Sequence, residues 1–335
     1  MDRQPERGGG AGDADQAPPA RAPYDATEQL ITRAAWLYFV EGQTQQEIAR
    51  HLGINRIRVN RMLATARENG IVRVTIDGPV ADCVKQERAL QARFGLSVAV
   101  VVPTAMDQDN IRRMVAYGAG RLLSGLVHDG MVLGVGWGRT LRLSLDYIPR
   151  RPLPTLEVVS MTGGLTRGSA LNSYETALRM SDHFGAMCCY MAGPAFAESE
   201  ETRDLFLRHP MLADALAHAA RADVAYISVG GLHDAATMLS VGLIDRDDVA
   251  SLRRARAVGD ILGYWIDAEG RVVDHDLNRR ALALHPERLS DIGNVILASG
   301  GLQRAPAILA ALRRGWIDTL ITDEATARQV LGAPE

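Results

Sequence analysis

The spacing of hydrophobic and polar residues changes along the chain and predicts four segments. Residues 1–25 show no period and are rich in Gly, Pro, Ala and charge, which is typical of a disordered tail. In residues 26–78 apolar side chains recur at helical spacing, and residues 79–96 predict a helical connector. In residues 97–335 short β-rich runs alternate with amphipathic helices, which is the pattern of an α/β sheet. We therefore expect a small helical domain joined to a large α/β domain.

Three helices are predicted in the small domain. Leu30 to Val40 has helical spacing, and Thr44-Gln-Gln-Glu47 is a capping box that starts a second helix. Asn55 can cap a third helix, which Asn69-Gly70 ends. The alternating residues 71–76 predict a short strand.

The segment from Gln45 to Met62 has the spacing of a helix-turn-helix. Counting from Gln45, the small Ala49 falls fifth, where two helices approach closely. Gly53 falls ninth, where the turn needs a residue that tolerates positive φ. Val59 and Met62 fall fifteenth and eighteenth, where the second helix needs apolar residues against the first. This spacing favours a helix that fits the major groove of DNA.

Local charge supports the same interpretation. Residues 43–73 contain six Arg and two Glu, a local charge of +4, whereas the whole chain has a net charge of −3. Arg can pair with guanine or hold a phosphate, and Asn can pair with adenine. The alternative is a solvated helix face. The predicted DNA contacts are Thr44, Gln45, Asn55, Arg56, Arg58, Asn60 and Arg61, with the three Arg near the helix start as candidates for reading bases.

In the large domain the predicted strands and helices alternate. The strands are expected at Val98–Val102, Met131–Val135, Leu156–Met161, Cys188–Met191, Val224–Val229, Ile261–Ile266, Val295–Ala298 and Thr319–Ile321. The helices are expected at Ile111–Leu126, Tyr174–Phe184, Leu212–Ala220, Asp247–Arg256, Ala305–Arg314 and Glu324–Leu331.

Glycine-rich turns follow several of these strands. Gly134-Val-Gly-Trp-Gly-Arg-Thr140 leads from a strand into a helix, so it can present backbone N–H groups to an anion. Thr162-Gly-Gly164 follows the next strand, and similar turns occur at Gly230 and Gly300. Open α/β sheets bind ligands beyond the carboxyl ends of their strands. The alternative is that these glycines only allow tight turns, since neither a dinucleotide fingerprint nor a Walker loop is present.

Three further residues are candidates for a carbohydrate site. Asp260 and Asp323 lie at element boundaries, where each could accept bonds from sugar hydroxyls. Asp323 could equally be a helix cap. Trp137 could stack on a sugar or cover the core.

Composition narrows the class of protein. Two domains are expected from 335 residues, and an apolar fraction of 47% is normal for a soluble protein. Cys83, Cys188 and Cys189 form no disulfide or metal-ligand pattern, and no cofactor or metal is predicted. No run reaches the ~18 apolar residues of a membrane helix, and no secretory signal is present. We expect a cytoplasmic protein without a membrane partner.

Together these motifs resemble SorC-type (sorbitol-operon) transcriptional regulators over about residues 28–332. The motifs that carry the resemblance are the helix-turn-helix, Gly134–Thr140, Thr162–Gly164, Val258–Ile261 and Ala298–Gly301. The resemblance implies a Rossmann-like effector domain similar to sugar-phosphate isomerases. It also implies dimers or tetramers whose binding to operator DNA is altered by a sugar, polyol or sugar phosphate.

The resemblance also implies an effector site. It would be lined by Gly134, Gly136, Gly138, Thr140, Thr162, Gly163 and Gly164, with Asp260 facing the sugar. Apart from the resemblance, Trp137, Arg139 and Asp323 are also predicted to bind the effector. Members of the family often have Lys where this chain has Arg304. The positive charge is kept at that position, but the amine chemistry is lost.

The residues favour binding without turnover. Lys85, in the predicted connector, is the only lysine, so Schiff-base chemistry has no lysine in the site. No catalytic residues are predicted. Two alternatives stay open: a sugar-phosphate isomerase-like enzyme with Asp260 as general base, and a protein–protein adaptor that uses its small helical domain.

Overall fold

The computed structural model describes residues 26–72, 80–165, 172–233 and 237–334. The predicted tail at 1–25 and most of the predicted strand at 71–76 lie outside the described residues. The chain divides between Asp77 and Gly78 into two compact units. We call them the three-helix unit and the α/β unit.

The three-helix unit consists of α1 (Ala26–Phe39), α2 (Gln45–His51) and α3 (Arg56–Glu68). The three helices pack around one apolar core, because each places its buried residues on one face. The buried core residues are Ile31, Ala34, Ala35, Leu37, Ile48, Ala49, Val59, Met62, Leu63 and Ala66. This confirms the burial expected for Ala49, Val59 and Met62.

The predicted local signals of this unit are also confirmed. The hydroxyl of Thr44 accepts a bond from the Glu47 N–H, and the Glu47 carboxylate accepts one from the Thr44 N–H at 2.7 Å. The side chain of Asn55 accepts a bond from the Arg58 N–H at 2.8 Å and so caps α3. Gly53 has a φ of +65°, as the short turn between α2 and α3 requires.

The α/β unit contains ten strands and eleven α-helices among its described residues. The strands are β1 (Val98–Val102), β2 (Val132–Val135), β3 (Glu157–Ser160), β4 (Met187–Cys189), β5 (Val224–Ile227), β6 (Val229–Gly231), β7 (Gly259–Ile261), β8 (Tyr264–Ile266), β9 (Asn294–Ala298) and β10 (Thr319–Asp323). The helices are α4 (Val80–Phe94), α5 (Gln108–Leu126), α6 (Arg139–Ser144), α7 (Ser173–Phe184), α8 (Glu200–Arg208), α9 (Pro210–Ala219), α10 (Thr237–Ser240), α11 (Arg246–Arg254), α12 (Asp276–Arg280), α13 (Ala305–Arg313) and α14 (Glu324–Gly332).

Seven strands form one parallel sheet in the order β1-β10-β9-β5-β2-β3-β4. After β2 the chain adds β3 and β4 on one side, and it then returns to place β5, β9 and β10 on the other. The strand order therefore reverses between β2 and β5. In an open parallel sheet, such a reversal leaves a crevice at the carboxyl ends of the two strands.

A second, antiparallel sheet has the order β6-β7-β8. Two strand predictions are wrong here. The expected strand at Ile261–Ile266 is a hairpin, because Leu262 and Gly263 both have positive φ (52° and 85°) and reverse the chain. The expected strand at Val224–Val229 is divided, since Val229 leaves the parallel sheet and begins β6.

Helices cover both faces of the parallel sheet, and two large apolar clusters lie between the layers. Helix α4, in the segment expected to be a connector, packs against β1 and α14 and buries Cys83 and Leu90. On its exposed side Lys85 forms an ion pair with Asp82 at 2.9 Å. None of the described helices is both long and apolar enough to cross a membrane.

We expect Gly120 to be required for the packing of α5. A Cβ at Gly120 would lie 2.5 Å from the Ser144 carbonyl oxygen and 2.9 Å from the Tyr147 Cβ. Gly120→Ala should therefore lower the free energy of unfolding by about 1–3 kcal/mol. Denaturant unfolding measures this change.

The control for Gly120 lies on the same helix. Gly125 is exposed and has open space around its Cβ position. Gly125→Ala should raise stability by about 0.5–1 kcal/mol, because alanine is the better helix former. Equal effects of the two substitutions would contradict the packing argument.

Candidate functional site

A pocket lies at the carboxyl ends of β2 and β5, where the strand order reverses. It encloses about 710 Å³ of space not filled by atoms, including its open mouth. Trp137, Gly138, Arg139 and Thr140 follow β2 and form one wall. The other lining residues are Arg112, Leu165, Ser228, Val229, Gly230, Gly231, His233, Met238, Val241, Leu243, Asp260, Trp265 and Arg304.

The glycine-rich turn after β2 is shaped by Gly138. Its φ of +142° is a conformation that side chains disfavour, and a Cβ there would lie 3.3 Å from the Ser228 Cβ. The turn from β2 into α6 therefore runs close to the end of β5. Six predicted effector residues line this one pocket: Trp137, Gly138, Arg139, Thr140, Asp260 and Arg304.

Asp260 is a buried carboxylate on β7, with 2% of its surface exposed. It accepts bonds from the Gly263 N–H at 3.2 Å, from the Gly230 backbone and from the Trp137 side chain. A Cβ at Gly230 would lie only 2.0 Å from a carboxylate oxygen of Asp260, so only glycine fits there. Burial nevertheless raises the pKa of Asp260 to about 7, because these bonds and the nearby Arg304 charge offset only part of the lost hydration.

Three guanidinium groups make the rest of the pocket electropositive. Arg304 donates to the Gly300 carbonyl oxygen at 2.9 Å. Its pKa is lowered to about 10, chiefly by burial and also by the neighbouring charges of Arg112 and Arg139, whereas Asp260 and Asp323 act in the opposite direction. Arg112, which bonds to Asp109, lies on α5 and is not indicated by any sequence motif. Such a group of like charges favours an anionic ligand.

Trp265 is a second residue that the sequence motifs miss. It is fully buried, lines the pocket and lies directly opposite Asp260 in the β7–β8 ladder. The Trp265 N–H donates to the Asn278 amide oxygen at 2.7 Å, and the Asn278 amide nitrogen donates to the Trp265 carbonyl oxygen at 3.0 Å. Its buried indole N–H has no partner among the residues that the structure describes. A buried donor without a partner costs free energy, so in a residue that lines the pocket it is a candidate for a ligand contact.

The Thr162–Gly164 turn does not line this pocket. The Gly163 N–H donates to the Leu282 carbonyl oxygen at 2.7 Å, and the Gly164 N–H donates to the Gly193 carbonyl oxygen at 2.9 Å. A Cβ at Gly163 would lie 2.2 Å from the Pro194 oxygen, and one at Gly164 would lie 2.1 Å from the Tyr174 ring. The two glycines thus permit close packing, and their N–H groups are hydrogen-bonded within the protein.

Gly134, Gly136 and Asp323 also lie away from the pocket lining. A Cβ at Gly134 would contact the Met161 sulfur at 2.9 Å, and the Gly136 N–H donates to the Tyr226 carbonyl oxygen. The carboxylate of Asp323 caps α14 and is fully buried. It accepts bonds from the Thr104 hydroxyl at 2.9 Å, the Gly301 N–H at 2.7 Å and the Thr326 side chain, so its capacity is used within the protein.

The predicted DNA contacts lie at the starts of α2 and α3. Arg56, Arg58, Asn60 and Arg61 are all exposed. Gln45 accepts a bond from the Arg56 side chain and donates one to the Asn60 side chain, both at 3.4 Å. Thr44 and Asn55 are the caps described above. Among the described residues, no cluster of three or more His, Cys, Asp or Glu could hold a metal ion.

Comparison with known proteins identifies relatives that match most of the chain. The model of the sugar-binding domain family Sugar-bind matches residues 78–332. The chain is 32% identical over 312 residues to the erythritol catabolism regulatory protein EryD of Brucella abortus, which covers 92% of this chain and 98% of that protein. It is 32% identical over 312 residues to the transcriptional regulator LsrR of Klebsiella pneumoniae, with 91% and 94% covered.

Two solved structures have the same fold. The full-length sorbitol operon regulator SorC of Klebsiella pneumoniae matches with a TM-score of 0.73 at 24% identity, over 92% of this chain and 100% of that one. A DeoR family transcriptional regulator of Listeria monocytogenes matches with a TM-score of 0.69 at 26% identity, over 74% of this chain and 99% of that one. The mixed α/β architecture with a parallel sheet agrees with the fold predicted for the large domain.

We expect Asp260 to give stability a pH dependence. Its pKa is about 7 in the folded protein and 3.8 as the ordinary value, so the folded state binds the proton more tightly. The free energy of unfolding should therefore fall, by at most about 1.4 kcal/mol per pH unit, as pH rises from about 4 to 7. Asp260→Asn removes this effect. The Tm of the variant minus the Tm of the wild type should therefore rise with pH up to about pH 7 and stay constant above it.

The control for this titration is Asp107, an exposed carboxylate whose pKa is lowered by bonds from the Asn110 and Asp109 N–H groups. Asp107→Asn should differ from the wild type by a constant amount between pH 5 and 8, since Asp107 stays ionised there. A constant difference for Asp260→Asn as well would show that Asp260 does not titrate in this range.

Proposed function

The chain belongs to the SorC-type family of sugar-binding transcriptional regulators, and we propose that it is a homo-oligomeric regulator of a carbohydrate-catabolism operon. Residues 26–78 would form a helix-turn-helix domain that binds operator DNA. Residues 97–335 would form a Rossmann-like effector and oligomerisation domain, to which residues 79–96 connect it. One observation carries the proposal: a chain of net charge −3 exposes Arg56, Arg58 and Arg61 on a single helix.

We infer that the effector is a small carbohydrate or polyol that carries a phosphate. Arg112, Arg139 and Arg304 supply positive charge to the pocket, and Asp260 supplies an acceptor for hydroxyl groups. EryD takes its name from erythritol catabolism, which makes four-carbon polyols a reasonable starting point for a screen. The effector would act by binding one arrangement of the oligomer more tightly than another.

An enzymatic function is the second candidate, because a buried carboxylate with a pKa near 7 is suited to general base catalysis. Such an isomerase-like enzyme would turn over a sugar phosphate, and Asp260→Asn would abolish the turnover. We favour binding without turnover, since the pocket lining, within the part of the chain that the structure describes, includes a single carboxylate and no lysine. If the wild type turned over sugar phosphates and Asp260→Asn did not, the enzymatic function would be preferred.

We expect Arg61→Ala to weaken selective DNA binding by about 5- to 150-fold, because Arg61 is exposed on α3 and its loss removes a base or phosphate contact. Fluorescence anisotropy with the DNA upstream of the protein's own gene measures the affinity at several salt concentrations. Arg254→Ala, on α11, removes the same charge elsewhere and should have little effect. Equal losses for both variants would mean that α3 does not bind DNA.

We expect phosphorylated ligands to stabilise the protein more than their free forms. A thermal-shift screen compares four- to six-carbon polyols and aldoses, each free and as the phosphate, with inorganic phosphate. Arg139→Gln should weaken binding of the best phosphate by about 10-fold or more, through loss of a charge-assisted bond. Arg254→Gln is the control. Stabilisation by free polyols alone, unaffected by Arg139→Gln, would exclude a phosphorylated effector.

A further inference from the structure

Ile57, the second residue of α3, has an apolar side chain that lies outside the core of the three-helix unit. It is 70% exposed, although isoleucine is among the residue types most often buried. The caps and core of the three-helix unit do not involve it. An isoleucine that is 70% exposed contributes little to packing, so most of its surface is available to another molecule.

Helix geometry places Ile57 at the centre of the outward face of α3. Successive residues turn by about 100°, so Ile57 lies about 200° from Val59, which is fully buried against the core. Arg61 lies one turn further along the same face, and the small, exposed Ala64 follows it. The side chains of Arg56 and Asn60 are displaced toward α2, since both bond to Gln45.

The surroundings of Ile57 are suited to duplex DNA. Arg56, Arg58 and Arg61 give this end of the helix a strong positive charge, which favours a polyanion over an apolar protein surface. The major groove offers one apolar group to a side chain, the C5-methyl group of thymine. Residues near the start of a recognition helix reach deepest into the groove.

We propose that Ile57 contacts the C5-methyl group of a thymine in each half-site of the operator and so determines specificity at that base pair. This inference rests on the proposed DNA-binding function. It adds an apolar contact to a surface on which the sequence motifs indicate only Arg, Asn, Gln and Thr. Ile57 would thereby lose its unfavourable exposure on binding.

Replacement of thymine by deoxyuridine tests the contact, because it removes only the methyl group. The full chain is first footprinted on the DNA upstream of its own gene, and each thymine of the protected duplex is then replaced in turn. At one position per half-site, the replacement should weaken binding of the protein by about fourfold, which corresponds to the burial of one methyl group. Ile57→Ala should bind the natural duplex at least about fourfold more weakly than the wild type does. Its affinity should not fall further when deoxyuridine replaces thymine at that position.

Two further variants sharpen the comparison. Ile57→Val keeps the branched Cβ and should retain part of the sensitivity to the methyl group. Val40→Ala removes another exposed apolar side chain of the same unit, one that is 61% exposed, and should keep the full sensitivity. The Tm of each variant should equal the wild-type Tm, since neither side chain is buried.

The outcomes separate this inference from the proposed function. Selective DNA binding with the same deoxyuridine pattern in the wild type and Ile57→Ala would overturn the contact and leave the proposed function intact. Unchanged DNA affinity with altered self-association in sedimentation would also overturn it and would assign Ile57 to a protein contact. A wild type without sequence-selective binding at moderate salt would overturn both.

Discussion

The reversal of strand order between β2 and β5 is the constraint on which the rest of the α/β unit depends. Helices cover both faces of this parallel sheet, so a ligand can reach it only beyond the ends of its strands. Only where neighbouring connections depart in opposite directions does the edge of the sheet open. The turn after β2 forms one side of that opening, and β5 ends at the other. The antiparallel β6–β8 sheet contributes Asp260 and Trp265 to the lining of the opening.

Charge within this opening is balanced only in part. One buried carboxylate lies near three guanidinium groups, and burial disfavours the charged forms of both Asp260 and Arg304, raising the pKa of the first and lowering the pKa of the second. The protein keeps these groups in place through backbone partners: Gly230 and Gly263 for Asp260, and Gly300 for Arg304. Such fixed, incompletely paired groups are typical of sites that are completed by a ligand, and they distinguish this pocket from the well-satisfied bonds around Asp323.

The sequence predicts the small unit in more detail than the site. Caps and apolar spacing are local properties, so Thr44, Gly53 and Asn55 are recognisable from the order of residues alone. Site membership depends on which strands become neighbours, and no local pattern contains that information. Gly163 and Gly164 follow a strand, as Gly138 does, yet their N–H groups donate to carbonyl oxygens within the protein. Arg112 and Trp265 reach the pocket from distant elements without a motif of their own. Asp323 has the residue type for a ligand role but acts as a cap.

The exclusive use of arginine on α3 has a consequence for regulation. Lysine acetylation neutralises a DNA-binding surface in proteins whose basic residues are lysines. Here the exposed cations of α3 are all guanidinium groups, which are not substrates of lysine acetylation. The chain's one side-chain amine is Lys85, on α4 and paired with Asp82. Lysine acetylation therefore has no target on α3 and cannot lower the positive charge of that surface.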